Sequence, residues 1–382
     1  MLACGEVSHD LVNVPQTTRY GPPCMPCERH ALRLANHGQL LAEVVARLRH
    51  GELCALPTET VYGLTVLPSH AAGVAKARAL KGRGIEQPFT FHIAERTDLE
   101  RLVRTVPPGI QRLVGRYWPG PLTVILPTGA GETTGVRLPA HDFTRSVIAA
   151  CGEPLWLSSV NLAGEPPLLD AETIARRFAD ELGLVVDDGP SLLGVASTIV
   201  RKVGPRFEVL REGILSADEV LQAAAGLVLF VCTGNTCRSP LAEALARDLT
   251  GRTLGVPAKD VLAHGVAFTS AGTGTLPGMP ASEGSLAVAA ELQLDLSGHT
   301  SRPIEPELLA RADRIYCLGQ NHRHAILAEM PEVADKVAML RPDGLDIADP
   351  YGGEPKTYRR ARDEIRAAVG ARLRDWLPPT TA

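Results

Sequence analysis

A cysteine near the middle of the chain is followed by an arginine and a serine, in the stretch Cys232-Thr-Gly-Asn-Thr-Cys-Arg-Ser-Pro240. An apolar run, residues 227–231, precedes it, and a helical pattern, residues 241–249, follows it. A strand, a glycine-containing loop and a helix in this order direct backbone N–H groups toward one point at the positive end of the helix, where an oxyanion would bind. The same N–H dipoles would stabilise a thiolate at Cys232. We therefore predict a cysteine nucleophile, with Arg238 as a bidentate phosphate clamp.

The remaining loop residues and one distant aspartate extend this prediction. Ser239 is expected to donate a hydrogen bond to the sulfur of the nucleophile, and Asn235 to brace the loop backbone. Asp349, in the turn-rich sequence Asp-Pro-Tyr-Gly-Gly, is the predicted general acid. Cys237 has two open interpretations, a reversible disulfide that protects the nucleophile from over-oxidation and a simple packing role. The predicted phosphate-binding loop consists of Thr233, Gly234, Asn235, Thr236, Cys237 and Ser239.

These motifs, with Thr269-Ser-Ala-Gly272 and residues 294–301, resemble the low-molecular-weight protein phosphatase family over residues 227 to 378. The resemblance implies a four-stranded parallel sheet with flanking helices, and hydrolysis of a phosphorylated protein through a phosphocysteine intermediate, without a cofactor. Thr236 stands where phosphotyrosine enzymes usually carry a bulky apolar residue. This feature and Asp-Pro-Tyr-Gly-Gly resemble the bacterial protein-arginine phosphatases, so we favour phosphoarginine over phosphotyrosine. An arsenate reductase-like domain with Cys317 as second thiol is a further alternative, although no cysteine follows Cys317 to complete a relay.

A second group of polar residues follows a predicted strand near the N-terminus. Residues 53–56 read as this strand, and Pro57-Thr-Glu-Thr-Val-Tyr-Gly-Leu64 follows it. Proline and glycine there shape a turn that would expose Thr58 at the strand end, where ligands commonly bind in α/β sheets. Farther on, a helical stretch ends at a glycine flanked by Lys81 and Arg83. Two cations beside a loop suit a polyphosphate group.

Further stretches in the same half carry a second resemblance. They are Pro88–Ile93, Trp118–Thr123, Gly135–Pro139, Ser158–Gly164, Ser197–Val200 and Leu210–Gly213. Their order and content resemble the threonylcarbamoyl-adenylate synthase family, also called the YrdC-like domain, over residues 38 to 215. The resemblance implies a twisted α/β sheet that condenses L-threonine, bicarbonate and ATP, the last with Mg²⁺ on its triphosphate. In that resemblance, formation of the product, threonylcarbamoyl-adenylate, is the first step toward a modified adenosine in tRNA.

The same resemblance assigns ligand contacts. The threonine-binding residues are Thr58, His92, Arg137 and Ser197, of which Arg137 would pair with the threonine carboxylate. The ATP-binding residues are Lys81, Arg83, Gln87, Ser159, Asn161 and Arg211. The chain departs from the family at Gly84, Gln87 and Ala196, where Pro, Asn or Lys, and Glu are common. These departures leave one alternative open, a first domain that binds a nucleotide or RNA without catalysis.

Two such groups of residues need two domains to position them, and 382 residues exceed the usual span of one hydrophobic core. We predict the α/β class for both domains. The predicted segments are a flexible leader (1–33), the synthase-like domain (34–215), a linker helix (216–226) and the phosphatase-like domain (227–378). The linker begins with a capping-box pattern, Ser216 followed three residues later by Glu219.

Composition and short sequence patterns indicate which partners, cellular location and metals to expect. The net charge of −4 disfavours general electrostatic binding of nucleic acid, so any contact with tRNA or double-stranded RNA would be local. Proteins that act later in tRNA modification are further expected partners. The chain lacks a secretory pattern at its start and an apolar run long enough to span a membrane, so we expect a cytoplasmic protein. The pair Cys24 and Cys27, with Cys4, His9 and His30 nearby, suggests zinc, but one Cys-x-x-Cys pair does not establish a site and we assign no metal ligands.

Overall fold

Two separate β-sheets divide the chain into two α/β domains in the computed structural model, which describes residues 27–82, 89–129 and 132–377. This is the predicted fold class for both halves. None of the helices in these ranges is long and apolar enough to cross a membrane.

The first domain contains a mixed ten-stranded sheet within the described residues. Its strands are Glu28–Ala31 (β1), Leu53–Leu56 (β2), Gly63–Val66 (β3), Thr90–His92 (β4), Leu122–Gly129 (β5), Glu132–Arg137 (β6), Leu155–Ser159 (β7), Leu182–Asp187 (β8), Thr198–Val203 (β9) and Arg206–Arg211 (β10). The strand order is β1-β8-β2-β3-β7-β4-β6-β5-β9-β10. Its α-helices are His37–Arg49 (α1), Ala71–Lys81 (α2), Leu99–Leu102 (α3), Pro108–Tyr117 (α4), Asp142–Cys151 (α5) and Ala171–Arg177 (α6), with a short 3₁₀ turn at Arg96–Asp98.

Strand β1 corrects the predicted leader, which was placed at residues 1–33. Its four residues pair in parallel with β8, so this part of the leader belongs to the sheet. The strand is polar and lacks the apolar alternation that marks a strand in a sequence. Instead, Arg47 binds Glu28 at 2.8 Å, and Arg29 lies 3.7 Å from Asp187. Residues 1–26 of the leader, including Cys4, His9 and Cys24, lie outside the described residues.

Buried apolar clusters cover both faces of the large sheet. One contains Leu40, Val44 and Leu48 of α1, and another contains Ile110 and Leu113 of α4. Helix α1 begins at Asn36, whose side chain accepts hydrogen bonds from two backbone N–H groups of the first turn, as an N-cap residue does. The helices therefore hold the sheet from both sides.

The second domain contains a four-stranded sheet in which each described pairing is parallel, as the resemblance implied. Its strands are Gly226–Cys232 (β11), Val266–Gly272 (β12), Arg314–Cys317 (β13) and Val337–Met339 (β14), in the order β12-β11-β13-β14. The linker helix Ala217–Ala224 (α7) precedes them. The domain's own α-helices are Arg238–Leu254 (α8), Glu283–Ala290 (α9), Pro306–Arg311 (α10), Gln320–Glu329 (α11) and Pro355–Arg372 (α12), with 3₁₀ turns at Ala258–Asp260, Leu262–His264, Pro331–Lys336 and Leu373–Asp375.

The central strand β11 is buried along almost its whole length, which explains its continuous apolar run. Apolar clusters lie on both of its faces: Phe230 belongs to the larger one and Val231 to the smaller. Helix α8 starts at Arg238, three residues before the apolar pattern that predicted it, with Pro240 in its first turn. Strand and helix thus bracket the predicted phosphate loop.

Two candidate active sites

The predicted phosphate loop lies between the end of β11 and the start of α8. Cys232 is the last residue of the strand, and Arg238 is the first of the helix. Asn235 adopts a left-handed backbone conformation with φ of 50°, which turns the chain back toward the helix. One end of the loop is anchored in the sheet and the other in a 17-residue helix.

Asn235 is held by its side chain and its backbone together. Its amide nitrogen donates to Ser239 Oγ at 2.9 Å and to Ser270 Oγ at 3.0 Å. Its Oδ1 accepts from the backbone N–H of Arg302 at 2.9 Å, and its carbonyl lies 2.7 Å from His299 Nε2. This network stabilises the left-handed conformation and corresponds to the bracing role that the sequence suggested for Asn235.

The three predicted catalytic residues take part in two sets of contacts at the loop. Cys232 Sγ lies 3.0 Å from Ser239 Oγ. Arg238 is buried, and its two amino groups donate to Asp349 Oδ2 at 2.7 Å and to Ile347 O at 3.0 Å. Its Nε, also buried, has no hydrogen-bond partner among the described residues. A buried guanidinium N–H without a partner is costly, and the oxygen of a bound oxyanion would satisfy it.

The other loop residues are held by contacts with their neighbours. Thr236 is partly buried, with its Oγ1 3.7 Å from the sulfur of Cys237. The Cys237 thiol donates to Ser282 Oγ at 3.1 Å, which is the contact of a packed cysteine. Gly234 O accepts from Thr275 Oγ1 at 2.7 Å. Each loop residue therefore has a neighbour that holds it in place.

Cys317 does not fit the arsenate reductase alternative. It pairs in register with Val231, so the two side chains share one face of the sheet, whereas Cys232 is the next residue along β11 and faces the other side. Burial also raises the pKa of the Cys317 thiol to about 12, which keeps it protonated and a poor nucleophile. We therefore assign Cys317 to the core.

In the first domain, the predicted threonine ligands line a cavity of about 350 Å³ over one face of the sheet. Thr58, His92, Arg137 and Ser197 all contribute to its wall. The Thr58 hydroxyl donates to Val61 O at 2.6 Å and so closes its own turn. The wall also contains Ser159 and Arg211 from the predicted ATP set.

Two buried polar groups of this cavity, His92 and Arg137, contribute no free charge to it. Burial, and then the nearby Arg137 guanidinium, lower the pKa of His92 to about 3, so its imidazole is neutral at physiological pH. Arg137 itself donates to Glu59 Oε1 at 2.6 Å and to Gly120 O at 3.2 Å. The predicted partner of a carboxylate ligand is thus already paired with a carboxylate of the protein.

The remaining ATP residues lie on two different sides of the cavity, because Ser159 ends β7, Ser197 precedes β9, and three strands separate β7 from β9 in the sheet. Lys81 Nζ donates to Ser159 O at 2.9 Å and to Asn161 O at 2.8 Å. Arg211 donates to Ser197 O through two nitrogens, at 2.8 and 3.0 Å. The other two predicted ATP residues, Arg83 and Gln87, lie outside the described residues, as does Gly84. The structure therefore brings together four of the six predicted ATP residues with the threonine set.

Sequence reasoning missed several residues of these sites. Thr123 Oγ1 lies 2.8 Å from Ser197 Oγ in the cavity wall, and Glu59 binds Arg137 and the backbone N–H of Ala140. Both residues stand within motifs that were recognised, which is the signal that could have found them. His322, which contacts the phosphate loop, had no such signal, because it stands outside every recognised motif.

Carboxylates are absent from the cavity wall within the described residues. Outside both sites, ligand atoms of Glu28, His30 and Glu43 lie within 4.8 Å of one another. Arg47 binds both carboxylates, at 2.8 and 2.9 Å, so a cation of the protein already neutralises this cluster.

Comparisons with known proteins agree with the division into two halves. Residues 46–213 match the sequence model of the Sua5/YciO/YrdC family, described as telomere recombination, and residues 227–376 match that of the low molecular weight phosphotyrosine protein phosphatases.

Two curated relatives resemble the first half. A threonylcarbamoyl-AMP synthase of Bacillus subtilis is 34% identical over 49% of this chain and 57% of its own length. One from Stenotrophomonas maltophilia is 40% identical over 38% of this chain and 85% of its own length. The chain thus spans little more than half of the Bacillus protein. For the second half, the structure of an arginine phosphatase, YwlE, from Geobacillus stearothermophilus is 32% identical, with a TM-score of 0.34, over 39% of this chain and 92% of that chain.

Proposed function

Since the chain belongs to the threonylcarbamoyl-AMP synthase family through its first domain and carries a low-molecular-weight phosphatase domain, we propose that it is a bifunctional enzyme. The first domain makes threonylcarbamoyl-adenylate, and the second removes phosphoryl groups from a protein. The enzyme acts in the cytoplasm, and proteins of tRNA modification consume its first product.

The phosphatase proposal rests on one observation. Cys232, whose sulfur contacts Ser239, and Arg238, which pairs with Asp349 and whose Nε has no partner among the described residues, stand at the two ends of one short loop. An oxyanion bound there satisfies Nε and lies at the positive end of α8. A thiolate, a clamp and a proton donor at a single anion site are what phosphoryl transfer through cysteine requires.

The reaction proceeds in two steps. The Cys232 thiolate attacks phosphorus, the sulfur–phosphorus bond forms, and the bond to the leaving group breaks as Asp349 donates its proton to that group. Water then attacks phosphorus while Asp349 takes one of its protons, and the sulfur–phosphorus bond breaks. Ser239 supports the departing thiolate through its hydrogen bond. Inorganic phosphate and the free thiolate result, and no cofactor takes part.

We favour phosphoarginine as the substrate because of Thr236. Thr236 is a partly buried residue of the loop, and a hydroxyl there suits a polar guanidinium, whereas an aromatic leaving group gains more from an apolar residue. Phosphotyrosine remains the competing substrate.

The test compares the full chain on peptides that carry phosphoarginine or phosphotyrosine. Wild type should hydrolyse both, with a higher kcat/KM on phosphoarginine, and Cys232→Ser should lose at least about a thousandfold on each. Cys151→Ser, a partly buried cysteine of the first domain, is the matched control and should keep wild-type rates. Activity that survives in Cys232→Ser contradicts the site, and a faster rate on phosphotyrosine contradicts the substrate.

The synthase proposal rests on the cavity of the first domain. It combines a neutral imidazole, hydroxyl groups and the Arg211 guanidinium in one polar wall, with Lys81 at its edge. Such a wall can bind an amino acid beside a nucleotide without a covalent nucleophile, because positioning and charge neutralisation carry this chemistry. The threonine amine and bicarbonate form a carbamate with loss of water, and a carbamate oxygen then attacks the α-phosphorus of ATP while pyrophosphate leaves.

Pyrophosphate release separates this function from a non-catalytic first domain. Release should require threonine, bicarbonate and Mg²⁺-ATP together. Arg211→Ala should reduce kcat/KM by about tenfold or more, since it removes a charged donor from the cavity. Arg206→Ala, an exposed arginine on the same strand, is the control and should behave like wild type. Nucleotide binding without pyrophosphate release would favour the alternative.

A further inference from the structure

A buried histidine supports the phosphate loop from a neighbouring helix. Helix α11 follows β13, and β13 lies beside β11, so the start of α11 and the phosphate loop share one edge of the sheet. His322, the third residue of α11, is fully buried there. Its Nε2 lies 2.9 Å from Thr233 Oγ1. Thr233 directly follows the nucleophile and is exposed at the mouth of the loop.

The surroundings of His322 decide which atom donates in this contact. Burial, and then the Arg238 guanidinium, lower the pKa of His322 to about 4, so the ring carries a single proton at physiological pH. Nδ1 is buried and has no hydrogen-bond partner within the part of the chain that the structure describes. A proton on Nδ1 would be a buried donor without an acceptor, which is more costly than an unused lone pair. The proton therefore resides on Nε2, which donates to Thr233 Oγ1.

This direction leaves the hydrogen of the Thr233 hydroxyl available. A hydroxyl oxygen can accept one hydrogen bond while its own hydrogen serves another acceptor. At an exposed position beside Cys232, that acceptor is an oxygen of the bound phosphoryl group. The backbone of Thr233 is anchored separately, because its carbonyl accepts from the N–H of Gly274 at 3.1 Å.

We propose that His322 is a positioning residue of the phosphatase, which orients the Thr233 hydroxyl so that it donates to the phosphorylated substrate. The proposal rests on the phosphatase function proposed above. Two consecutive hydrogen bonds make up this relay: the neutral imidazole N–H donates to the Thr233 hydroxyl, and that hydroxyl donates to a phosphoryl oxygen. No group in this relay changes its protonation during turnover.

The test measures tungstate affinity by calorimetry and kcat/KM on an aryl phosphate, both on the full chain. Thr233→Val removes the hydroxyl at an exposed position, and His322→Phe removes the donor while keeping a ring. Each change should lower both quantities by about fivefold, the worth of one ordinary hydrogen bond. The double variant should be no worse than either single variant, because both act through the same hydroxyl. His322→Gln, whose amide nitrogen can replace Nε2, should recover most of the loss.

A matched control uses His324, an exposed histidine on the same helix, and His324→Phe should leave both quantities unchanged. If His322→Phe fails to fold, Thr233→Val and His322→Gln still decide. The proposal is wrong if Thr233→Val keeps wild-type affinity and rate, or if the two losses multiply in the double variant. If wild type binds tungstate but does not hydrolyse the aryl phosphate, the proposed phosphatase function is wrong. The role of His322 can still be judged in that case, because the effect of the variants on tungstate affinity does not require turnover.

Discussion

Asp349 and Arg238 form an ion pair in the free site, 2.7 Å apart, with the aspartate half exposed and the arginine buried. A phosphoryl group that binds the guanidinium competes with Asp349 for it. The carboxyl group would then be released toward the leaving group, where it serves as the acid once it has taken up a proton. Substrate binding and placement of the acid are therefore linked through one arginine.

Replacing Asp349 with Asn tests this role. The amide has nearly the same shape but cannot supply a proton, so turnover should fall about a hundredfold for alkyl phosphates, whose leaving groups need protonation. Aryl phosphates with acidic leaving groups should lose much less. The measurement is kcat as a function of leaving-group pKa, with the exposed Asp343→Asn as control. An equal loss for all leaving groups would show that Asp349 acts in another way.

His92 makes the stability of the first domain depend on pH. Its pKa is about 3 in the folded protein and near its ordinary value in the unfolded chain, so the unfolded state binds the extra proton first as pH falls. The contribution of neutral His92 to the free energy of unfolding is complete above pH 6.5. It is lost as the pH falls toward the pKa of His92 in the folded protein. The largest expected loss is about 1.4 kcal/mol for each pH unit in that window.

Comparison with His92→Gln isolates this contribution, because other titrating groups behave alike in both proteins. Denaturant unfolding at pH 7.5, 5.5 and 4.5 should show wild type losing stability faster than the variant on acidification. A difference between the two proteins that does not change with pH would contradict the assignment.

At the level of secondary structure, local patterns predicted the elements that carry the chemistry. A continuous apolar run marked β11, glycine and proline marked the loop and the start of α8, and Ser216 marked the linker helix. Strand β1 was missed because backbone pairing and ion pairs hold it, and these leave no apolar pattern. Pairings such as His322 with Thr233 join residues 89 positions apart and depend on which strands become neighbours, which a single sequence does not reveal.

The phosphate loop allows conformation and hydrogen bonding to be separated at Asn235. Gly accepts the left-handed conformation but removes the side-chain bonds, whereas Ala removes those bonds and adds a backbone cost of about 1 kcal/mol. Both variants should turn over more slowly than wild type, and Asn235→Ala should be less stable than Asn235→Gly by about that amount. Thermal unfolding and kcat on the same samples provide the measurement. Equal stability of the two variants would mean that the loop relaxes out of this conformation.

The two domains meet at a junction built around the linker helix. Arg112 of α4 donates to Ala224 O through two nitrogens, at 3.1 and 2.8 Å, and lies 3.6 Å from Asp313 in the second domain. Asp313 in turn accepts from the N–H of Leu227 at 2.8 Å. The junction therefore joins the end of α7 to the first strand of the phosphatase sheet, while the two sites keep separate walls.

Arg112→Ala should weaken this junction without altering either activity. The ion pair with Asp313 is partly exposed and contributes little to stability. The free energy of unfolding should therefore fall by about 1 kcal/mol, mainly because the hydrogen bonds to Ala224 O are lost. For domains of this size, that corresponds to a fall of about 2–4 °C in Tm. Arg101→Ala, which removes an arginine from an exposed pair with Asp98, is the matched control. Calorimetry should show the fall for Arg112→Ala alone, with both activities unchanged at 25 °C. An equal shift in both variants would show that the contacts of Arg112 do not hold the domains together, because its loss would then cost no more than that of any surface arginine.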